Sequence, residues 1–194
     1  MQISRLLAMA SVFAAFSGGP IVMPISAIQG NELAAVITTT KGDIHVTLFP
    51  VEAPLTVANF VNLAQRGYYD GLKFHRVLAN FMIQGGGFDV DMIAKKTQSP
   101  IKNEADNGKK NIKGSISLAR TSEIDSATSQ FFINLSNNHF LDHGDRDYGY
   151  AVFGQVIKGL DVIDAILEVT TESRGSHQDV PKIPVIIEEI SISD

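Results

Sequence analysis

The stretch at residues 74–88, FHRVLANFMIQGGGF, combines residue types that an ordinary core strand does not contain. Arg76 and Gln84 carry hydrogen-bond donors, and they lie among large apolar residues such as Phe81 and Met82. Donors beside apolar side chains are typical of a shallow apolar pocket with a polar rim. The alternative is an ordinary core strand whose arginine reaches solvent. A lone arginine, taken by itself, favours this alternative.

Three consecutive glycines, at residues 85–87, end the same stretch. Glycine adopts backbone conformations that other residues avoid, so the run predicts a tight turn or a close approach to another segment. No Gly-Lys-Ser/Thr sequence follows, which argues against a phosphate-binding loop of the usual kind.

The stretch resembles the signature of the cyclophilins, the peptidyl-prolyl cis-trans isomerases. Four later stretches agree with that family in order: GSISLART at 114–121, SQFFIN at 129–134, FLDHG at 140–144 and YGYAVFGQV at 148–156. The resemblance runs from about residue 35 to residue 194, and it is closest to the exported bacterial branch. It implies an eight-stranded barrel capped by a helix at each end.

The chemistry that this family performs is rotation about an X-Pro amide, whose resonance creates a barrier of roughly 20 kcal/mol. No bond is broken, so we expect no metal and no cofactor. A donor that bonds to the amide nitrogen more strongly in the twisted state acts selectively on the transition state. The resemblance implies that Arg76 is this catalytic arginine, and that Gln84 positions it and contacts the substrate backbone.

The resemblance also assigns the substrate-binding residues. For Phe132 and Leu141, the residue pattern alone favours plain core packing, and only their position inside the matched motifs makes them pocket residues. The expected lining of the proline pocket is Phe81, Met82, Phe132 and Leu141, and the neighbouring peptide groove is expected to contain Ala119, Arg120 and Gln130.

The sequence departs from many eukaryotic family members at three places. Phe140 stands where those members carry tryptophan, so we expect weak cyclosporin binding. Tyr150 replaces a histidine, which exchanges one aromatic wall of the binding site for another. Arg120 and Thr121 replace an Asn-Ala pair, and this change could shift the preference for residues that flank proline.

Composition sets the broad class of the protein. A length of 194 residues with 44% hydrophobic residues suits one folded domain, or one folded domain plus an export signal. The formal charge of -5 argues against a nucleic-acid partner held by phosphate neutralisation. The absence of cysteine excludes disulfides, thiolate catalysis and cysteine-based zinc sites.

Residues 1–27 are predicted to be a signal peptide. Arg5 supplies the positive charge, and residues 6–16 form an apolar segment that is too short for a permanent membrane helix. We expect cleavage after Ala27, with a second candidate site at residues 15–17, and a mature isomerase domain at 35–194. The expected location is the periplasm, with no stable membrane insertion after the signal is removed.

Hydrophobic periodicity predicts many short strands and two helices. A helix is expected at 54–66 because Pro54 suits a first turn and Val57, Phe60, Val61 and Ala64 follow at helical spacing. Together the elements suggest a closed or nearly closed antiparallel barrel. The expected strands lie at 36–40, 43–48, 115–119, 130–135, 150–156 and 185–192, the second helix follows Gly159, and long loops occupy 89–114 and the region of Gly175, Pro181 and Pro184.

Two other classes of function are compatible with parts of the sequence. His139, Asp142, His143, Asp145 and Asp147 are metal-ligand types, but they lie in a turn and lack the helical H-E-x-x-H arrangement. A serine hydrolase would need a G-x-S-x-G elbow, and the sequence has none.

The remaining alternative is a module or holdase that binds proline peptides without turnover. A purely binding pocket has no special need for Arg76, so this residue favours the enzyme. The expected partners are proline-containing unfolded or partly folded polypeptides, and we expect the protein to act as a monomer.

Overall fold

The computed structural model describes residues 33–144 and 147–193. The predicted signal peptide and both candidate cleavage sites lie outside these residues. Among the helices that are described, none has the length and apolarity needed to cross a bilayer.

Within residues 33–144 and 147–193 the protein is mainly β, with two α-helices, as the sequence predicts. A 3-10 helix spans His139–Leu141. The strands are β1 (Ala34–Thr39), β2 (Gly42–Leu48), β3 (Arg76–Leu78), β4 (Met82–Gly85), β5 (Ser115–Leu118), β6 (Phe131–Asn134), β7 (Val152–Lys158), β8 (Thr171–Arg174), β9 (His177–Pro181) and β10 (Ile187–Ser193), and the helices are α1 (Pro54–Gln65) and α2 (Leu160–Leu167).

Eight strands form one curled antiparallel sheet in the order β10-β1-β2-β7-β5-β6-β4-β3. The predicted closed barrel is wrong, because the edge strands β3 and β10 do not pair, and the sheet is an open half-barrel. An isolated bridge between Lys73 and Ile186 joins the segments that precede these two strands. The physical reason is where the pairing stops. The Gly71 N–H donates to the Ile187 carbonyl oxygen at 2.9 Å and the Phe74 N–H donates to the Val185 carbonyl oxygen at 2.9 Å, but β3 begins only at Arg76 and pairs with β4 alone.

Helix α1 covers the sheet through the apolar stripe that the sequence predicts. Phe60 is fully buried, and its ring lies 5.4 Å from Tyr69, 5.7 Å from Phe131 and 5.1 Å from Phe153. Aromatic pairs at these centroid distances stabilise a core beyond the area that they bury. These contacts hold the core-facing side of β6, and the opposite side of β6 carries part of the candidate site.

The loop at 89–114 contains no helix or strand, as predicted, but it is attached to the core. The Glu104 carboxylate accepts hydrogen bonds from the backbone N–H groups of Leu55 at 3.0 Å and Thr56 at 2.8 Å. These are first-turn donors of α1, where a negative charge is favourable. The loop therefore supplies the N-terminal cap that Ala53 lacks.

The segment before β10 differs from the sequence prediction. It was expected to be a loop, and it contains the two-stranded hairpin β8–β9, which packs against β3. This hairpin forms one wall of the candidate site.

Candidate active site

The register of three neighbouring strands brings three of the predicted site residues into a row. Arg76 on β3 lies directly opposite Gln84 on β4, and Gln84 lies directly opposite Phe132 on β6. Directly opposed residues in antiparallel strands share one face of the sheet. The row therefore places a guanidinium, an amide and an aromatic ring side by side.

Alternation along the strands separates this face from the core. Phe131 and Ile133 belong to the main core cluster. Phe132, between them, is also buried, with 5% of its surface exposed, but it does not belong to that cluster. On β4, Ile83 belongs to the same cluster and Met82 does not. Successive side chains of a strand point to opposite faces, so Phe132 and Met82 pack on the face that carries Arg76 and Gln84.

Gln84 is held by Gln130, because its Nε2 donates a hydrogen bond to Gln130 Oε1 at 2.9 Å. The glycines of the predicted turn make room for this arrangement. A Cβ on Gly87 would lie 2.6 Å from Gln130 Cδ, and a Cβ on Gly86 would lie 2.9 Å from the Ser129 carbonyl oxygen. Gly86 also has φ 82°, which L side chains rarely adopt. The predicted close approach is confirmed at both positions.

The aromatic side of the site consists of two ring pairs. Phe81 stacks on Phe140 with centroids 5.6 Å apart, and Phe132 meets Tyr150 edge-on, also at 5.6 Å. Phe140 lies on the 3-10 helix and is 46% exposed. Leu141, the next residue, is half-buried. An apolar surface that is partly open to solvent can take up a small ring.

Arg120 makes its contacts within the protein. Its side chain is 3% exposed, its Nη2 lies 2.7 Å from Asp147 Oδ1, and its Nε donates to the Gly149 carbonyl oxygen at 2.8 Å. The guanidinium lies 4.8 Å from the centroid of the Tyr150 ring. The neighbouring Ala119 donates its backbone N–H to the Gln130 carbonyl oxygen at 2.8 Å. Arg120 thus braces the aromatic side of the groove.

A cavity of about 420 Å³ lies beside Arg76, which is one of its lining residues. Arg76 projects over it with 41% of its side chain exposed, and its Nε lies 3.9 Å from Asp179 Oδ2. Arg76 and Gln84 thus both border this polar cavity, and Gln84 lies between Arg76 and Phe132. The residues that line the cavity are His75, Arg76, Gln84, Phe88, Gln130, Ser176, His177 and Gln178.

His75 lies behind Arg76 and is 5% exposed. Burial lowers the pKa of His75 most, and together with the neighbouring His177, Lys73 and Arg76 it brings the pKa to about 4. Its ring meets Phe88 at 4.7 Å, and Phe88 meets His177 at 4.9 Å. At neutral pH His75 is uncharged, so it adds no positive charge behind Arg76.

Asp142 lies beneath the 3-10 helix and joins the aromatic side to the long loop. Its Oδ1 accepts the Asn111 backbone N–H at 2.7 Å, and its Oδ2 lies 3.2 Å from His139 Nδ1. Burial raises the pKa of Asp142, but the hydrogen bonds from Asn111 and His139 and the charge of Lys110 outweigh burial and lower it. Asp142 and His139 thus form a hydrogen-bonded turn, while Asp145 lies outside the described residues.

The wall of the polar cavity was not predicted. His75, Phe88 and His177 line it, and neither they nor the nearby Asp179 were among the predicted site residues. The segment HQDVP at 177–181 is mostly polar and lies between Gly175 and Pro184. This pattern is typical of a loop, so the sequence contains no strong signal for this wall.

Comparison with known proteins gives consistent matches. A family model described as "Cyclophilin type peptidyl-prolyl cis-trans isomerase/CLD" matches residues 34–192. Peptidyl-prolyl cis-trans isomerase A of Dickeya dadantii (strain 3937) is 55% identical over 157 residues, covering 81% of this chain and 83% of that protein. Peptidyl-prolyl cis-trans isomerase B of Escherichia coli (strain K12) is 48% identical over 159 residues, covering 80% and 97%.

Among solved structures, the chain is similar to a cyclophilin-type peptidyl-prolyl cis-trans isomerase of Cryptosporidium parvum, crystallised in the presence of the dipeptide Ala-Pro. The TM-score is 0.68 at 25% sequence identity, and the match covers 83% of this chain and 99% of the other.

Proposed function

The chain belongs to the cyclophilin-type peptidyl-prolyl cis-trans isomerase family and is an isomerase, and from this premise we propose that Arg76 stabilises the twisted X-Pro amide. The proline ring lies in the apolar part of the site, against Phe81, Phe132 and Phe140. The observation that carries this proposal is the row Arg76–Gln84–Phe132, which sets a guanidinium beside an apolar surface with one glutamine between them.

The mechanism follows from what changes when the amide twists. In the planar amide the nitrogen lone pair is delocalised, and twisting localises it on nitrogen. A donor at that nitrogen then forms a stronger hydrogen bond than it does in the ground state. Arginine suits this task because it stays charged and offers a planar fork of donors. A barrier lowered by about 6 kcal/mol would accelerate exchange by roughly ten-thousandfold.

Gln84 positions Arg76 and contacts the backbone of the bound peptide. Its Nε2 is engaged by Gln130, which leaves the amide oxygen of Gln84 to accept a hydrogen bond from Arg76 or from the substrate backbone. Ala119 and Gln130 border the groove in which an extended peptide lies. Arg120 acts indirectly, through Tyr150.

The proposed substrates are proline-containing polypeptides that are unfolded or partly folded, because only such chains expose an X-Pro bond to a shallow site. The Ala-Pro dipeptide used with the Cryptosporidium parvum relative supports this substrate class. We expect the protein to act as a monomer and to bind cyclosporin weakly, since Phe140 supplies a smaller ring than tryptophan and no indole N–H.

We further propose that the protein is exported and assists the folding of exported proteins in the periplasm. The support is the charged and apolar pattern of residues 1–27. Cell fractionation followed by N-terminal sequencing tests this proposal. A periplasmic protein that starts at Ile28 is the expected result, and an uncleaved protein in the cytoplasmic fraction would contradict it.

The isomerase proposal is tested by cis-trans exchange of an Ala-Pro peptide, measured by NMR with and without the purified protein. We expect accelerated exchange that persists after treatment with a chelator, because no step uses a metal. A folded protein that binds the peptide without accelerating exchange would instead be a recognition module.

A further inference from the structure

We infer that Asp179 is a positioning residue for Arg76, which holds the guanidinium at its Nε end. This inference rests on the proposed catalytic role of Arg76. Asp179 Oδ2 lies 3.9 Å from Arg76 Nε, and both side chains are partly exposed, at 36% and 41%. Engagement at Nε directs the two Nη groups away from the carboxylate and leaves them for the substrate amide.

A β-bulge aims Asp179 at β3. In the hairpin β8–β9, Glu172 pairs with Val180 and Arg174 pairs with His177. One residue of β8, Ser173, therefore opposes two residues of β9, Gln178 and Asp179. Bulges of this kind redirect a side chain and are common beside active sites.

The backbone of Asp179 has the conformation that such a bulge requires. Its φ is 59°, in the left-handed region where aspartate and asparagine are the most frequent non-glycine residues. A non-glycine residue at this φ is maintained only when its surroundings hold it there.

The hairpin has contacts that hold it in place. The His177 ring packs on Phe88 at 4.9 Å, and Arg174 Nη1 donates to the Val90 carbonyl oxygen at 3.4 Å. Lys73 Nζ donates to the same carbonyl oxygen at 3.0 Å. Phe88 and Val90 follow β4, which carries Gln84, so one continuous segment connects the support of Asp179 with the partner of Arg76.

The size of the effect follows from exposure. A partly exposed ion pair at this distance contributes only modestly, so the expected gain in rate is about two- to fivefold. The gain is in orientation, and it should appear in kcat more than in KM, because a misplaced guanidinium fails mainly in the twisted state.

Asp179→Asn is the sharpest variant, because asparagine has the same shape and also tolerates a positive φ. We expect kcat for Ala-Pro exchange to fall about two- to fivefold at low salt, with a smaller change in KM. The difference from the wild type should shrink at high salt, since salt screens an exposed pair. Asp179→Glu should restore part of the rate. Glu188→Gln, at an exposed position of β10, is the control for loss of one surface carboxylate and should leave kcat unchanged.

Asp179→Gly distinguishes the effect of losing the carboxylate from the effect of backbone strain, because glycine accepts φ 59° without strain. It should show the same loss of kcat with an unchanged or higher melting temperature. Wild-type kcat in both Asp179→Asn and Asp179→Gly at low salt would overturn the inference, as would an equal fractional loss in an Arg76→Ala background. If Arg76→Ala itself were fully active, the proposed function would fail, and the two failures are therefore distinguishable.

Discussion

The guanidinium of Arg120 lies 4.8 Å from the ring centroid of Tyr150, and the Tyr150 ring meets Phe132 edge-on. A buried cation therefore supports an aromatic wall of the site from behind. The arginine is itself fixed by Asp147 and by the Gly149 carbonyl oxygen. Through Arg120, residues 147–149 are therefore linked to the aromatic side of the site.

Replacing Arg120 should weaken peptide binding more than catalysis. Arg120→Ala removes a cation–π contact and the donor to Gly149, so Tyr150 loses its support. We expect KM for an Ala-Pro peptide to rise about tenfold, with a smaller change in kcat. Arg120→Lys keeps the charge but loses the planar fork, so its KM should be intermediate. Equal KM values for all three proteins would show that Tyr150 does not depend on Arg120.

His75 should make stability depend on pH. Its pKa in the folded state is about 4, below the ordinary value of 6.5, so the unfolded state binds more protons between these two values. Stability should therefore fall as pH decreases from 6.5 towards 4, and the contribution of His75 to this loss between pH 7 and pH 5 is about 2 kcal/mol.

The test compares the free energy of unfolding at pH 7 and pH 5 by urea denaturation. His75→Gln cannot titrate, so its loss of stability over this interval should be smaller than that of the wild type. His143→Gln removes an exposed histidine and serves as the control. The same pH dependence in wild type and His75→Gln would contradict the assignment.

The sequence could predict much of the fold because local patterns carry the information. Pro54 and the stripe of Val57, Phe60, Val61 and Ala64 predict α1 to within one residue at its end. The strand predictions overlap β1, β2, β5, β6, β7 and β10. In β1 and β2 the alternation reflects one buried and one partly exposed face, whereas β5 and β6 are short runs that are buried at every position.

The sequence could not predict whether the sheet closes. Closure depends on how the short edge β3 meets β10, more than one hundred residues later, and no local pattern encodes that contact. The hairpin β8–β9 was missed because its strands are mostly polar and only Val180 and Pro181 are buried. Asp179 depends on that hairpin, so its place beside Arg76 could not be predicted either.

Asp142 should stabilise the aromatic side of the site. Asp142→Asn leaves the donors of Asn111 and His139 without a charged acceptor, and we expect a loss of about 1–3 kcal/mol in the free energy of unfolding at pH 7. The pKa of Asp142 is lowered, so its contribution is present above pH 3.8 and is lost as pH falls through the folded-state value.

Urea denaturation of wild type and Asp142→Asn over the acid range checks both points. The two proteins should converge in stability at the lowest pH. Asp164→Asn, at an exposed position of α2, is the control and should behave like the wild type. A constant difference between wild type and Asp142→Asn at every pH would show that the carboxylate charge is not the cause.

The central claim is that Arg76 acts on the twisted amide, and the most direct test measures exchange and binding of one Ala-Pro peptide with the same samples. Arg76→Ala is compared with the wild type and with Arg66→Ala, which removes an exposed arginine at the end of α1. We predict that Arg76→Ala loses most of the exchange rate while its Kd for the peptide changes much less, and that Arg66→Ala matches the wild type. Equal losses of exchange and affinity in Arg76→Ala would contradict the claim, and would make Arg76 a binding residue.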